Sequence, residues 1–185
     1  MGNIWGIHQL VRHPQSPRSA VERVDIQLLG LDARSIEIEY FVSPAHSLVL
    51  PQAAEPSRTD ELWKATCFEA FLKSPGSEAY VELNFSPSFA WAAYEFNGYR
   101  AGMRPLAVTI DPEIWISPAG DHFFLSAEFE NPLPPDAPLM LSLSAVIEEK
   151  SGHKSYWALA HPPEGPPDFH HPSCFVLELP PPSAP

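Results

Sequence analysis

Apolar and polar residues alternate along two early segments: Asp25 and Gln27 separate Val24, Ile26 and Leu28, and Glu37 and Glu39 separate Ile36, Ile38 and Tyr40. A two-residue period puts alternate side chains on opposite faces of an extended chain, so both segments predict half-buried strands. Gly30, Leu31, Asp32 and Ala33 supply the expected turn between them. Residues 51–60, rich in Pro, Ala, Ser and Glu, read as a loop. Residues 62–73 are long enough for a helix, but Phe68, Ala70 and Leu72 alternate with Cys67, Glu69 and Phe71, which predicts a strand over 66–73. In residues 79–85, Val81, Leu83 and Phe85 share one face, while Tyr80, Glu82 and Asn84 share the other. Ser86, Pro87 and Ser88 then turn the chain into a strand over 91–97. Further strands are expected at 106–110, 123–129 and 139–148, at 154–159 after a Ser151-Gly152 turn, and at 175–179. Residues 1–18 show no period and residues 180–185 (PPPSAP) are mostly proline, so both ends read as short tails around a core of about 19–180.

The 23 prolines agree with this segmentation, because proline interrupts helices and central ladders and suits short strands joined by loops. With no convincing long amphipathic helix to cover a sheet, the strands must cover one another. The expected fold is all-β, a single-domain antiparallel two-sheet sandwich spanning 1–185. A chain of 185 residues can bury a core of its own without disulfides or a metal.

A net charge of −12, with 11 Lys and Arg scattered along the chain, repels phosphate backbones, so nucleic acid is not expected as a partner. Cys67 and Cys174 form neither a disulfide framework nor a zinc motif, and no basic residue flanks them to activate a thiolate. The opening MGNIWGIHQLVRHP lacks a basic start and an apolar run, and no stretch approaches the ~18–20 apolar residues of a membrane span, so a cytoplasmic location is expected.

If strands 66–73, 79–86 and 91–97 are neighbours, their second face gathers Trp63, Cys67, Glu69, Tyr80, Glu82, Asn84 and Trp91. Rings beside carboxylates and amides suit a sugar, whose C–H faces stack on aromatics and whose hydroxyls need directional partners. The same residues also fit the solvent side of an ordinary sheet.

The motif from Trp63 to Phe71 (WKATCFEAF), with YVELNFSPS from Tyr80 to Ser88 and Trp91-Ala92-Ala93-Tyr94, resembles DOMON-like domains related to family 9 carbohydrate-binding modules. Residues 145–148 (AVIE), 156–162 (YWALAHP) and 167–171 (PDFHH) resemble bacterial members of the same group. The resemblance implies a β-sandwich that holds a mono- or disaccharide between two tryptophans, with acidic and amide ligands and no catalysis. By position it implies Trp63 as one ring, Glu69 as the acidic ligand and Asn84 as the amide. Glu82 stands where those modules commonly carry a basic residue, and Trp157, or else Trp91, is the candidate for the second ring.

Other chemistries fit parts of the pattern. Glu69 and Glu82 on paired strands resemble the closely spaced carboxyl pair of a retaining glycosidase. His161, Asp168, His170 and His171 crowd one Pro-rich loop as candidate metal ligands, although adjacent histidines in extended chain point apart. Met103 and His161 are formally available as axial haem ligands, but there is no CxxCH attachment site. A sandwich that only binds another protein is the remaining alternative; no cofactor is expected, and the pattern leaves the oligomeric state open.

Overall fold

The computed structural model describes residues 3–30, 34–135 and 137–180. In chain order the strands are β1 (Asn3–Gln9), β2 (Val11–Arg12), β3 (Arg23–Gly30), β4 (Ser35–Ser43), β5 (Ser57–Arg58), β6 (Cys67–Lys73) and β7 (Tyr80–Phe85). They continue with β8 (Ala90–Phe96), β9 (Arg104–Pro105), β10 (Glu113–Ala119), β11 (His122–Glu130), β12 (Leu139–Glu148), β13 (Lys154–Ala158) and β14 (Leu177–Leu179). Short 3-10 turns occupy Leu62–Lys64 and Pro172–Cys174, and no helix among the described residues is long and apolar enough to cross a membrane.

Among the described residues the strands form two sheets, a smaller one ordered β1-β3-β4-β11-β10 and a larger one ordered β2-β13-β12-β6-β7-β8-β5, with β14 added beside β12 and β9 beside β8. All pairings are antiparallel except the short β5–β8 contact, so the expected all-β sandwich is present. Alternation along the smaller sheet sends Val24, Ile26, Leu28, Ile38, Tyr40 and Leu125 inward against Phe68, Leu83 and Leu141 of the larger one, in one continuous core. Ring contacts of Tyr40 with Phe68 (4.8 Å) and Phe85 with Phe129 (5.6 Å) join the layers. The Tyr40 hydroxyl also crosses the sandwich to donate to the Glu69 carbonyl at 3.0 Å.

Three expectations need correction. Residues 3–9 and 11–12 are strands rather than a tail: β1 pairs with β3, which closes that edge although its sequence carries no alternation. Residues 106–110 form no strand, whereas residues 113–119, whose pattern gave no strand, pair with β11 throughout. Residues 31–33 of the expected turn between β3 and β4, and residues 181–185 of the expected C-terminal tail, lie outside the described residues. The β1–β3 contact is close at Gly30, where an added Cβ would meet the Trp5 ring at 2.2 Å. Gly30→Ala is therefore expected to lower unfolding free energy by about 1–3 kcal/mol through overpacking, measurable by urea denaturation.

Candidate functional site

The larger sheet is buried on both faces along β6 and β7, which is why neither strand shows an exposed side despite its polar residues. One face belongs to the core between the sheets. The other carries Cys67, Glu69 and Phe71 of β6, Tyr80, Glu82 and Asn84 of β7, Tyr94 and Phe96 of β8, and Ser142 and Ser144 of β12, as the registers require. The segment after β13 covers this face: Phe169 and Phe175 pack with Phe71, Tyr80 and Phe96, and Leu62 of the 3-10 turn joins them. His170 fits edge-on against Phe71 and Phe96. A face expected to be open is thus roofed by loop, and its polar residues are interior.

Glu69, Glu82 and Asn84 share this face, with exposures of 3%, 6% and 1%. Glu69 lies directly across from Asn84, not from Glu82, so the two carboxyl residues are diagonal neighbours, roughly 7–8 Å apart at the backbone. That register removes the direct cross-strand pairing on which the glycosidase comparison rested. Asn84 Nδ2 donates to Glu82 Oε1 at 2.8 Å, and Ser144 Oγ donates to Glu69 Oε2 at 3.2 Å. Asn84 Oδ1 and Ser142 Oγ are buried without a partner.

Burial disfavours the charged forms of both carboxyls. Glu69 is pushed up to about 8, first by desolvation and then by the Glu82 charge, against the Ser144 hydrogen bond and the Arg100 charge. Glu82 is raised for the same first reason, with Asn84 and Arg100 opposing. Arg100 comes from the turn after β8, a position that sequence pattern did not single out. Its guanidinium pairs with Asp168 at 2.8 Å, while its backbone N–H donates to the Tyr80 hydroxyl at 3.3 Å. Tyr80 in turn meets His170 Nδ1 at 2.8 Å, and His170 is pushed down to about 4 by burial and by Arg100. With His170 neutral and its Nδ1 accepting the Tyr80 O–H hydrogen bond, the ring proton sits on Nε2, 3.8 Å from Glu82.

The aromatic candidates separate. Trp63 sits in the 3-10 turn beside β6 to β8, half exposed, with the Lys64 ammonium 5.7 Å from its ring. Trp91 and Trp157 do not face this site. Trp91 pairs with Phe85, and Trp157 pairs with Ala145, so both have the parity of the inner face and lie in the core. The expected two-ring clamp across the face is therefore absent in that form. Tyr99, half exposed and bonded through its hydroxyl to Asp168, is an aromatic group the pattern passed over. It lines an open cleft of about 480 Å³ with Pro162, Pro166, Asp168 and His171, next to the buried cluster through the Asp168–Arg100 pair.

The loop histidines have separate tasks. His161 Nε2 bonds the Val11 carbonyl at 2.7 Å, and the ring meets His13 edge-on. His171 caps the Pro172–Cys174 turn by accepting from the Ser173 N–H, and Asp168 and His170 serve the network above. Among the described residues no group of three or more His, Cys, Asp or Glu is placed to hold a metal ion. Met103, exposed beside β9, and His161, bonded to β2, flank opposite edges of the larger sheet, so the two cannot face one iron. Cys67 and Cys174 are buried, and burial pushes both thiols up, which keeps them protonated and unreactive.

No protein-family model matches the chain, and no curated protein matches it. Among solved structures it is similar to a Bacteroides uniformis protein provisionally described as carbohydrate-binding, with a TM-score of 0.69 and 14% identity over 92% of this chain and 84% of that one. The likeness is one of fold, and it agrees with the two-sheet architecture. A family 9 carbohydrate-binding module from Caldicellulosiruptor kristjanssonii gives a TM-score of 0.48 in complex with cellotriose, at 11% identity over 84% of this chain and 73% of the module. The structure with glucose gives 0.49, at 13% identity over 79% and 70%. At that distance the module structures say nothing about individual residues here.

Proposed function

We propose that this protein is a non-catalytic binding protein for a small carbohydrate, held at the outer face of the larger sheet by Glu69, Glu82 and Asn84, with Trp63 at the rim. The observation that carries the reading is the buried cluster itself: two carboxyls and an amide on one face, with Asn84 Oδ1 and Ser142 Oγ lacking partners inside the protein. Buried acceptors of that kind cost about 1–3 kcal/mol each when unpaired, so they are kept where a ligand supplies the donors. Sugar hydroxyls are such donors. The motif resemblance to DOMON-like domains, and the provisional description of the Bacteroides uniformis protein, support the same ligand class.

Access requires the segment around His170 to lift from the sheet. Its polar ties are the Arg100–Asp168 pair, the Tyr99–Asp168 hydrogen bond and the Tyr80–His170 contact, all at the edge nearest the open cleft.

Ligand-observed NMR and calorimetry against a panel of mono- and disaccharides test the reading. Weak but saturable binding is expected, because ordering the roof offsets part of the gain. Asn84→Ala is expected to weaken it about tenfold or more, equivalent to ~1.4–3 kcal/mol, and Trp63→Ala several-fold, since a half-exposed ring has less contact to lose. A folded wild-type protein that binds no member of the panel would overturn the assignment.

A further inference from the structure

Acidic groups outnumber cations in this cluster. Glu69, Glu82 and Asp168 lie around it, and the cation the structure sets beside them, Arg100, is already paired with Asp168 at 2.8 Å. Lys73, further along β6, rests over the Phe175 ring at 4.5 Å instead. His170 does not supply the missing charge: its Nδ1 is occupied by the Tyr80 hydroxyl, and its Nε2 stays 3.8 Å from Glu82.

The missing partner has a definite chemistry. Because Asn84 Nδ2 is committed to Glu82, its Oδ1 is the amide atom left over, and it is buried without a donor on the residue directly opposite Glu69. Two carboxyls and one carbonyl oxygen therefore stand side by side on adjacent strands, and once Glu69 gives up its proton all of them accept. A sugar hydroxyl brings one proton and no charge. A primary ammonium brings three N–H donors and one positive charge, which matches three acceptors and a surplus of negative charge.

We propose that the ligand of this site carries a primary ammonium, as an amino sugar does, bound by the Glu69 and Glu82 carboxylates and by Asn84 Oδ1. The proposal rests on the carbohydrate reading given above and narrows it to an amino sugar. It also accounts for the acidic residue at position 82, where the resembling modules commonly place a basic one. Binding moves a proton: Glu69, held neutral in the free protein, gives its proton to solvent as the ammonium takes over its compensation. The other titratable or charged groups facing the pair are Cys67 on β6, Tyr80 on β7, Tyr94 on β8, Arg100, and Asp168 and His170 of the covering segment. Burial keeps the thiol and both phenols protonated, Asp168 is held low by Tyr99 and Arg100 against its own burial, and His170 is neutral above about pH 4.

Calorimetry of the full chain with glucosamine, glucose and N-acetylglucosamine varies one substituent on one ring. At pH 6.5 glucosamine is expected to bind at least tenfold more tightly than the other two. Its apparent heat should change with the ionisation enthalpy of the buffer, reporting release of close to one proton, while glucose releases none. Glu82→Gln should reduce the preference for glucosamine over glucose to about twofold or less. Glucose or N-acetylglucosamine binding as tightly as glucosamine, in a protein that Asn84→Ala cripples, overturns the ammonium and leaves the carbohydrate reading in place. Binding of ethanolamine with no sugar bound overturns the carbohydrate reading and retains the ammonium, and binding of none of the four overturns both.

Discussion

Trp91→Ala is expected to cost the fold about 3–5 kcal/mol, the range for deleting a large aromatic from a close-packed core. Trp91 is 2% exposed, belongs to the core between the sheets and stands across from Phe85. Its indole N–H is buried without a partner, and the Arg58 guanidinium sits 5.1 Å from the ring. Trp91→Phe should therefore be far milder, because it keeps most of the packing area and removes an unpaired donor. Urea denaturation of the pair checks this. A loss below about 1 kcal/mol for the alanine variant would show that Trp91 is peripheral, and would return it to the list of possible ligand-stacking rings.

The second large effect is a stability profile with pH governed by Glu69. Its carboxyl is pushed from an ordinary 4.5 to about 8 in the folded protein, so the folded chain holds a proton that the unfolded chain has lost between those values. Stability from this group is full below about pH 4.5, falls as pH rises and is gone above about pH 8. Glu82, raised by the same burial, acts in the same sense. His170 acts oppositely, because its depression from 6.5 to about 4 makes stability rise with pH across that window. Above about pH 6.5 the opposing rise from His170, and from His161, which burial also lowers, fades as the unfolded histidines lose their remaining charge, and the carboxyl decline prevails. Unfolding free energy should then fall by on the order of 2 kcal/mol, at about 1.4 kcal/mol per pH unit. Glu69→Gln, which keeps an acceptor for Ser144, is expected to flatten that decline, and denaturation at pH 6.5, 7.2 and 8 measures it. An equally steep decline in the variant would assign the effect elsewhere.

Much of this architecture was legible in the chain. Alternation in β3 and β4 gave strands and inward faces, because a strand buried on one side must place its apolar residues at every second position. The same rule put Glu69, Glu82 and Asn84 on a common face before any pairing was known, since parity survives any register that keeps the apolar sets in the core. Parity also carried the correction for Trp91, whose partner Phe85 is an inward residue; assigning the tryptophan by its chemistry rather than its position put it on the wrong side.

Other features depended on contacts between residues distant in sequence. β1 has no alternating pattern, yet eight strand residues of β3 give it a template, so edge pairing made a strand where local preference did not. Whether Glu69 faced Glu82 or Asn84 turned on a two-residue difference in register that periodicity cannot detect. Above all, the sequence by itself determined which side chains share the outer face, but only the tertiary structure decided that this face is roofed by Phe169, His170 and Phe175 and flanked by Arg100. The physical reason is that strand period is a property of the local backbone, whereas desolvation and charge balance come from segments some 20 to 100 residues away in the chain, and those two terms set the protonation of Glu69 and the kind of ligand the site can hold.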